Sequence, residues 1–252
     1  MHLDVRELRE FYYRSQLGRA VQRSVRDQVL RLWPNAASET VAGYGFPVPL
    51  LRPYMKDARR VVALMPGPQG VMPWPAGEKN VSVLCDDTRW PLEPNSVDKL
   101  VIFHGLDTTD HAAALLEEAY RVVAENGRAL FIVPNRASLW SRKDGTPFAV
   151  SRPYTISELE RRLKWHGFLV CNHVTALYQP PWVTKFWLRL GPTLERIGQA
   201  IPAWYGGGVL LVEVRKQVPR PTRPGLGQIL AKPLGVLDGI GQPEPARAKG
   251  TT

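Results

Sequence analysis

Apolar and polar positions follow two different rhythms along this chain. Apolar residues recur at helical spacing over residues 4–33, 110–123 and 156–166. Short, nearly continuous apolar runs lie at residues 40–42, 60–65, 81–85, 97–103, 128–133, 168–177 and 206–215. Strands that are apolar throughout are typical of a parallel sheet covered on both faces. The pattern predicts an α/β fold with helices on both faces of a mostly parallel sheet of about seven strands, whose last pair forms a hairpin-like return.

Residues that commonly begin or end helices stand at the ends of the predicted helices. Asp4 is a candidate N-cap of the first helix, Pro34 closes it, and Gly18 is a candidate break within it. A short, proline-bounded helix is expected over residues 49–57. Gly127 suits the position after the end of the helix that begins at residue 110.

Composition divides the chain into three regions. Residues 1–33 form an N-terminal helical arm, which either packs on the edge of the domain or binds a partner. Residues 34–218 form the α/β domain. Residues 219–252 are rich in Pro, Gly and basic residues, so we expect a flexible tail.

The formal net charge of +10 suits nucleic acid, an anionic membrane surface or an acidic partner protein. Residues 215–252 hold seven Lys or Arg against two acidic residues, which is half of that charge. No RNA-binding, helix-turn-helix or zinc-finger signature occurs, so nucleic acid is an unlikely partner.

The two cysteines, Cys85 and Cys171, have apolar neighbours and no C-x-x-C spacing, which indicates buried thiols in a reducing compartment. No metal site is expected, because the five histidines form no cluster with Cys or acidic residues. No apolar run approaches the roughly 18 residues of a membrane span, and the N-terminus has no signal-peptide pattern. We therefore expect a cytoplasmic protein.

Candidate ligand-binding residues follow the predicted strands. Ligands of parallel sheets bind beyond the carboxyl ends of the strands, and five segments lie there: residues 43–47, 65–69, 86–88, 104–107 and 134–136. Gly43, Tyr44 and Gly45 stand between a strand and a helix, where glycine lets the backbone approach a ligand closely. A lone Gly-x-Gly is weak evidence, and a tight turn without a ligand is its alternative.

Three segments carry a resemblance to a family. Residues 84–102, LCDDTRWPLEPNSVDKLVI, and residues 118–130, EAYRVVAENGRAL, are the most specific, and residues 165–168, WHGF, follow later. In these segments the chain resembles the class I S-adenosylmethionine (SAM) dependent methyltransferases of the methyltransferase type 11 kind, over about residues 35–216. The resemblance implies a Rossmann-like sheet and SAM as cofactor.

The resemblance also implies cofactor contacts. Asp86 would hold the adenine amino group, and the backbone at Asp87 and Thr88 would meet the adenine ring. The glycine turn, which is Gly43, Tyr44 and Gly45, would pass under the methionine and ribose groups. Met65 and Pro66 stand where the family has an acidic residue that binds the ribose hydroxyls. Either backbone groups or Gln69 compensate for it, or the pocket no longer binds SAM.

Two further sets of residues are candidates for chemistry. His104 follows the fourth strand and is either a base or a hydrogen-bonded structural histidine. A loop on the same rim is rich in basic and aromatic residues, which could bind an anionic or aromatic methyl acceptor. Alternatively, this loop is an ordered lid or a surface that binds a partner. The candidate acceptor-binding residues are Arg136, Trp140, Arg142 and Tyr154. A second aromatic group, expected to pack over the pocket, comprises Trp182, Phe186 and Trp187.

Two hypotheses about function remain from the sequence. The first is a SAM-dependent methyltransferase of unknown acceptor, either a small molecule or a protein. The alternative is a non-catalytic methyltransferase-like protein that binds or regulates another protein. Charge alone supports a third, weaker hypothesis of nucleic-acid methylation.

Overall fold

The computed structural model describes residues 3–182, 184–200 and 206–217. Its helices are α1 (Val5–Arg9), α2 (Gln16–Leu32), α3 (Val48–Leu51), α4 (Ala112–Val122), α5 (Pro147–Val150), α6 (Ile156–Trp165) and α7 (Lys185–Ala200). Its strands are β1 (Thr40–Gly45), β2 (Arg60–Pro66), β3 (Ser82–Cys85), β4 (Val97–Phe103), β5 (Val123–Pro134), β6 (Phe168–Ala176) and β7 (Val209–Lys216). The predicted tail falls outside the described residues.

The seven strands form one sheet in the order β3-β2-β1-β4-β5-β7-β6. Strands β1 to β5 pair in parallel, whereas β7 pairs antiparallel with both β5 and β6. This confirms the predicted α/β architecture and its antiparallel return. Because β1 lies between β2 and β4, the order of connections reverses at β1, which is where ligands of such sheets usually bind.

Burial of apolar side chains holds helices against both faces of the sheet. On one face, α2 buries Val21, Val25 and Val29 in a cluster with β1, β2, β4 and β5. On the other face, α4 and α6 bury their apolar sides, including Leu115 and Leu159. The periodicity that predicted these helices is therefore the periodicity of their buried faces.

The N-terminal helical stretch breaks at Ser15, and the proposed break at Gly18 is wrong. A π-helical turn, Glu10–Arg14, follows α1, and the Ser15 hydroxyl caps α2 by accepting the Gly18 N–H at 2.8 Å. A side chain at residue 18 would place its Cβ 1.8 Å from the Phe11 carbonyl oxygen, so glycine allows the two turns to pack. Asp4 caps α1 as predicted, by accepting the Arg6 N–H.

The glycine turn belongs to the strand, contrary to the prediction that the strand ends at residue 42. β1 continues to Gly45 because it pairs with β4 up to Phe103, and Gly45 has a φ of +93°. The Phe46 N–H then donates to the Phe103 carbonyl at 2.7 Å. The following helix is also shorter than predicted, with α3 passing into a 3₁₀ turn, Arg52–Met55.

Gly127 lies inside a strand and does not end a helix. α4 ends at Val122, and β5 begins at once because Val123 pairs with Val97 across a register shift. A Cβ on Gly127 would lie 2.8 Å from the Val97 carbonyl oxygen, so close strand approach explains this glycine.

The Glu118 and Arg121 pair on α4 holds the turn after β3. The Arg121 guanidinium donates to both Glu118 carboxylate oxygens, at 2.7 and 2.6 Å, and to the carbonyl oxygens of Trp90 and Leu92. The Glu118 carboxylate also accepts the Trp90 N–H at 2.8 Å. The most specific motif of the sequence therefore fixes a loop at the ligand-binding edge of the sheet.

Candidate functional site

Protein side chains fill the space around the glycine turn. A Cβ on Gly43 would lie 2.3 Å from Pro47 Cβ and 3.0 Å from Leu51 Cδ1. On Gly45 it would lie 2.2 Å from the Phe103 carbonyl oxygen. Glycine is needed here for close packing of α3 and β4, which is the tight-turn alternative considered from the sequence.

Tyr44 faces the other side of the sheet and binds Asp87. Its ring stacks on Trp90, with centroids 4.6 Å apart and planes at 20°. Its hydroxyl donates to Asp87 Oδ1 at 2.6 Å, and Thr109 donates to Oδ2 at 2.8 Å. Burial and the Asp87 hydrogen bond raise the pKa of Tyr44 far above its usual value. Both Asp87 oxygens are thus bound within the protein, as in a strand-end cap.

Asp86 is the one predicted cofactor contact that keeps an outward carboxylate. Its Oδ1 accepts the Thr88 N–H at 2.7 Å and the Thr88 hydroxyl at 2.6 Å, and both residues are exposed. These two hydrogen bonds lower the pKa of Asp86, so it is a carboxylate at neutral pH. Its Oδ2 has no hydrogen bond to the described residues and can accept one from a ligand.

The end of β2 offers no acidic side chain for ribose hydroxyls. Met65 is fully buried, and Pro66 follows it without an acidic residue. Gln69, which could have compensated, is 5% exposed and donates its side-chain N–H to the Gly45 carbonyl at 2.8 Å. Its amide therefore supports the glycine turn.

The N-terminal segment covers the carboxyl ends of β1, β2 and β4. The Val5 N–H donates to the Gln69 carbonyl at 2.9 Å, which anchors α1 to the loop after β2. Tyr12 is completely buried, stacks with Phe46 at a centroid distance of 5.7 Å, and shares a 2.6 Å hydrogen bond with His104 Nε2. Burial is the main cause that raises the pKa of Tyr12 well above its usual value. This contact places side chains of the protein itself in the crevice, the space beyond the carboxyl ends of β1, β2 and β4.

His104 lies in the interior, although it follows the strand that the sequence indicated. It has a φ of +50°, is 1% exposed, and contacts the rings of Phe103 and Phe148. Its Nδ1 is 3.5 Å from Asp107 Oδ2, and both oxygens of the buried Asp107 carboxylate lack a hydrogen bond to the described residues. No acceptor reaches His104 in this arrangement, which fits the structural alternative.

The candidate acceptor-binding residues divide into buried aromatics and exposed arginines. Trp140 donates its indole N–H to the Gln179 carbonyl at 2.8 Å, and Tyr154 donates to the Leu106 carbonyl at 3.5 Å; both are nearly inaccessible. Arg136 pairs with Glu158 at 2.8 Å on the surface, and Arg142 is exposed. Arg136 and Tyr154 are neighbours, since the Arg136 N–H donates to the Tyr154 carbonyl at 2.9 Å, whereas Trp140 and Tyr154 belong to separate buried clusters.

Trp182 and Trp187 contact each other with ring centroids 5.4 Å apart. The Phe186 side chain falls outside what the structure describes. Within the described residues, no group of three or more His, Cys, Asp or Glu could hold a metal ion. No helix among them is both long and apolar enough to span a membrane.

Sequence reasoning missed Tyr12 and Asp107. Tyr12 was grouped with the apolar face of a helix, because its contact with His104 spans 92 residues and leaves no local pattern. Asp107 lies in a segment that the sequence did place on the ligand-binding rim, three residues after His104. That spacing was the one available signal.

SAM fits this arrangement at one end only. Asp86 could accept the adenine amino group, but no acidic side chain is present at the end of β2 for the ribose. Pro47 and Leu51 pack against Gly43, and Tyr12 closes the crevice at His104.

The comparisons with known proteins agree with the topology. Residues 41–131 match the family model of a methyltransferase domain. A search of curated proteins found no significant match.

Solved structures of the same fold cover most of the chain at low identity. A SAM-dependent methyltransferase of Thermotoga maritima, described as a possible histamine N-methyltransferase, is 16% identical with a TM-score of 0.57, over 84% of this chain and 95% of its own. A chain from the complex of the Haloferax volcanii Trm112 methyltransferase activator with a methyltransferase is 15% identical with a TM-score of 0.59, over 84% and 98%. The [4+2]-cyclase SpnF is 15% identical with a TM-score of 0.54, over 82% and 84%. At such identity these likenesses establish the fold.

Proposed function

The chain carries a methyltransferase domain of the class I family, and from this premise we propose that it is a non-catalytic member that acts by binding another molecule. The domain keeps the sheet and the loop-holding motif of the family. In its ligand-binding crevice, Tyr12 packs on Phe46 and bonds to His104. Function therefore rests on the surfaces of a rigid domain and not on methyl transfer.

The contact between Tyr12 and His104 carries this proposal. Two side chains, 0% and 1% exposed, share a 2.6 Å hydrogen bond across the end of β4, with Phe46 and Phe148 packed around them. Displacing Tyr12 to admit a ligand would expose a buried aromatic ring and leave the His104 nitrogen unpaired. Each of these changes costs about 1–3 kcal/mol, which a cofactor would have to repay.

The lost ribose contact supports the same conclusion. A carboxylate that accepts two hydroxyl hydrogen bonds is a strong, charge-assisted contact. Met65 and Pro66 cannot replace it, and Gln69 is engaged with Gly45. Without it, SAM affinity falls by about 1–3 kcal/mol even in an open crevice.

The solved structures are consistent with functions other than methyl transfer. A protein of this fold is a [4+2]-cyclase, so the fold does not fix the chemistry. Another is found in a complex with a protein activator, which favours a protein partner for this chain as well.

The test is a calorimetric titration of SAM and of S-adenosylhomocysteine into the full-length protein. We expect no binding up to millimolar ligand, in protein whose folding is verified by circular dichroism. Micromolar binding that is lost in Asp86→Ala would overturn the proposal. An Asp110→Ala variant is the control, because Asp110 is an exposed carboxylate that pairs with Arg152 on the surface.

SAM-dependent methylation of a small-molecule or protein acceptor is the second candidate. The exposed carboxylate of Asp86 at the end of β3 favours it, because the family resemblance assigns the adenine contact to this position. This function requires the segment around Tyr12 to leave the crevice. Binding of SAM only in the presence of a protein partner would support it, so the titration should be repeated with any protein recovered by affinity purification.

A further inference from the structure

A cleft lies between α2 and α7, and none of the residues that the sequence assigned to a cofactor or an acceptor lines it. It encloses about 540 Å³, within the usual range for small-molecule sites. One face of α2 provides most of its wall, at intervals of three or four residues. From that helix it is lined by Gln16, Arg19, Ala20, Arg23, Ser24, Asp27, Gln28 and Arg31, and opposite by Gln179, Gly191, Glu195 and Arg196.

Two buried amides line this cleft without a hydrogen-bond partner. Gln28 is 5% exposed and Gln179 is 6% exposed, and the Nε2 of each lacks a partner among the described residues. The hydroxyl of Ser24, one helical turn from Gln28, is also unpartnered. Buried donors without an acceptor are rare in folded proteins, because each loses its hydrogen bonds to water. Three such groups lining one cleft, two on α2 and one opposite, point to a ligand that brings acceptor oxygens.

Gln179 is held in place from both sides. Its backbone carbonyl accepts the indole N–H of Trp140 at 2.8 Å. Its side chain lies against Gly191 of α7, where a Cβ would come within 1.9 Å of Gln179 Oε1. The amide is thus positioned before any ligand arrives, which lowers the entropy cost of binding.

The charge of the cleft has the sign that an anion requires. Four arginines face two acidic residues, and the Glu195 carboxylate already accepts the Leu177 and Tyr178 N–H groups. Arg23 and Arg196 form no ion pair with the other described residues, and both are exposed. Guanidinium groups bind phosphate oxygens through paired hydrogen bonds.

We propose that the cleft between α2 and α7 binds a soluble small molecule that carries a phosphate group. Arg23 and Arg196 supply charge at the mouth, and the amides of Gln28 and Gln179 donate hydrogen bonds inside. Phosphate is favoured over a single carboxylate because the four arginines outnumber the two acidic residues of the cleft by two, which suits a doubly charged anion. The site does not depend on the closed crevice, since no residue is common to both.

The first measurement is a calorimetric titration of pyrophosphate and of inorganic phosphate into the full-length protein, at constant ionic strength set with sodium chloride. We expect saturable binding of pyrophosphate, and weaker binding by about tenfold or more in Arg23→Ala and in Gln28→Met. Arg26→Ala is the matched control. Arg26 lies on α2 outside the cleft, and this substitution removes the same charge as Arg23→Ala. The control should bind like the unchanged protein.

Three outcomes of the titrations would overturn the proposal. They are no binding of either anion, equal weakening in Arg26→Ala and Arg23→Ala, or unchanged binding in both cleft variants. Binding to vesicles that contain phosphatidic acid, without binding of the soluble anions, would replace the small molecule by a lipid head group and also overturn it. Arg23 is exposed, so Arg23→Ala is expected to fold and keeps the test decisive even if Gln28→Met does not.

Discussion

The crevice at the ends of β1, β2 and β4 and the cleft between α2 and α7 differ in how their glutamine side chains are bonded. In the crevice, Tyr12, Gln69 and Asp87 each bind another group of the protein, and aromatic rings fill the remaining space. In the cleft, Gln28 and Gln179 are equally buried but leave their donors unpaired. In the region that a family motif marks, Gln69 is thus bonded within the protein, whereas in a region without a motif two buried amide donors remain for a ligand.

This difference indicates where to look for binding in a diverged member of a large fold family. A fold does not by itself fix the ligand, whereas a buried donor without an acceptor marks a group that a ligand could satisfy. The crevice also holds unpartnered groups among the described residues: the carboxylate of Asp107, the Nδ1 of His104 beside it, and the indole N–H of Trp90. The comparison is therefore best tested by variants that exchange similar groups in the two regions.

Truncation of Tyr12 should have the largest effect. Tyr12→Ala removes a completely buried ring and leaves His104 Nε2 unpaired, so we expect the free energy of unfolding to fall by about 3–5 kcal/mol. Urea denaturation followed by circular dichroism measures it. The control is Tyr13→Ala, since Tyr13 is 36% exposed and should cost less than about 1 kcal/mol. Equal losses in the two variants would contradict a closed crevice.

Loss of the Glu118 charge should destabilise the turn after β3, which carries Trp90, the ring on which Tyr44 stacks. Glu118→Gln weakens hydrogen bonds from Arg121 and Trp90, and we expect a loss of about 1.5–3 kcal/mol at pH 7. The Arg121 hydrogen bond lowers the pKa of Glu118 in the folded protein, so its contribution is complete above the unfolded pKa and disappears as the pH falls through the folded value. Urea titrations at several pH values should therefore show the two proteins converging below about pH 4.

Glu117→Gln is the matched control for this pH dependence. Glu117 precedes Glu118 on α4 but is exposed. A parallel pH profile for the two variants would attribute the effect to general charge and not to the pair with Arg121.

Replacing Gln69 by methionine should have an intermediate effect. Methionine keeps the length of the side chain but cannot donate to the buried Gly45 carbonyl, which then loses its partner. We expect a decrease of about 1–3 kcal/mol in the free energy of unfolding, measured with urea. A change of a few tenths would show that the glycine turn does not need this support.

The same substitution at Gln28 should have the smallest effect. Gln28 is as buried as Gln69, but its amide donates to no described residue, so Gln28→Met should be within about 0.5 kcal/mol of the unchanged protein or more stable. Urea denaturation without added phosphate measures it. A loss above about 1 kcal/mol would mean that the amide is already bonded, and the contrast between the two regions would fail.

The two glutamine variants form a pair, because the chemical change and the burial are the same. Only the presence of a protein acceptor differs between the two positions. A larger loss at Gln69 than at Gln28 would support the comparison directly.

Sequence alone determined the architecture. The runs of apolar residues defined seven strands, and the helical spacing of positions such as Val21, Val25 and Val29 defined the faces that the sheet buries. Caps such as Asp4 also followed, since a short side chain bonds to backbone groups within a few residues. These features depend on local physics and therefore leave a local pattern.

Element ends and the state of the crevice were decided by tertiary contacts. β1 extends through its glycines because Gly45 pairs with Phe103, and Gly127 lies in β5 because Val123 pairs with Val97. Tyr12 meets His104 across 92 residues, and Gln28 faces Gln179 across a cleft that exists only when α2 and α7 stand on the sheet. Such contacts join distant positions without periodicity or fixed spacing, so only the folded chain shows which side chains satisfy one another and which still lack a partner.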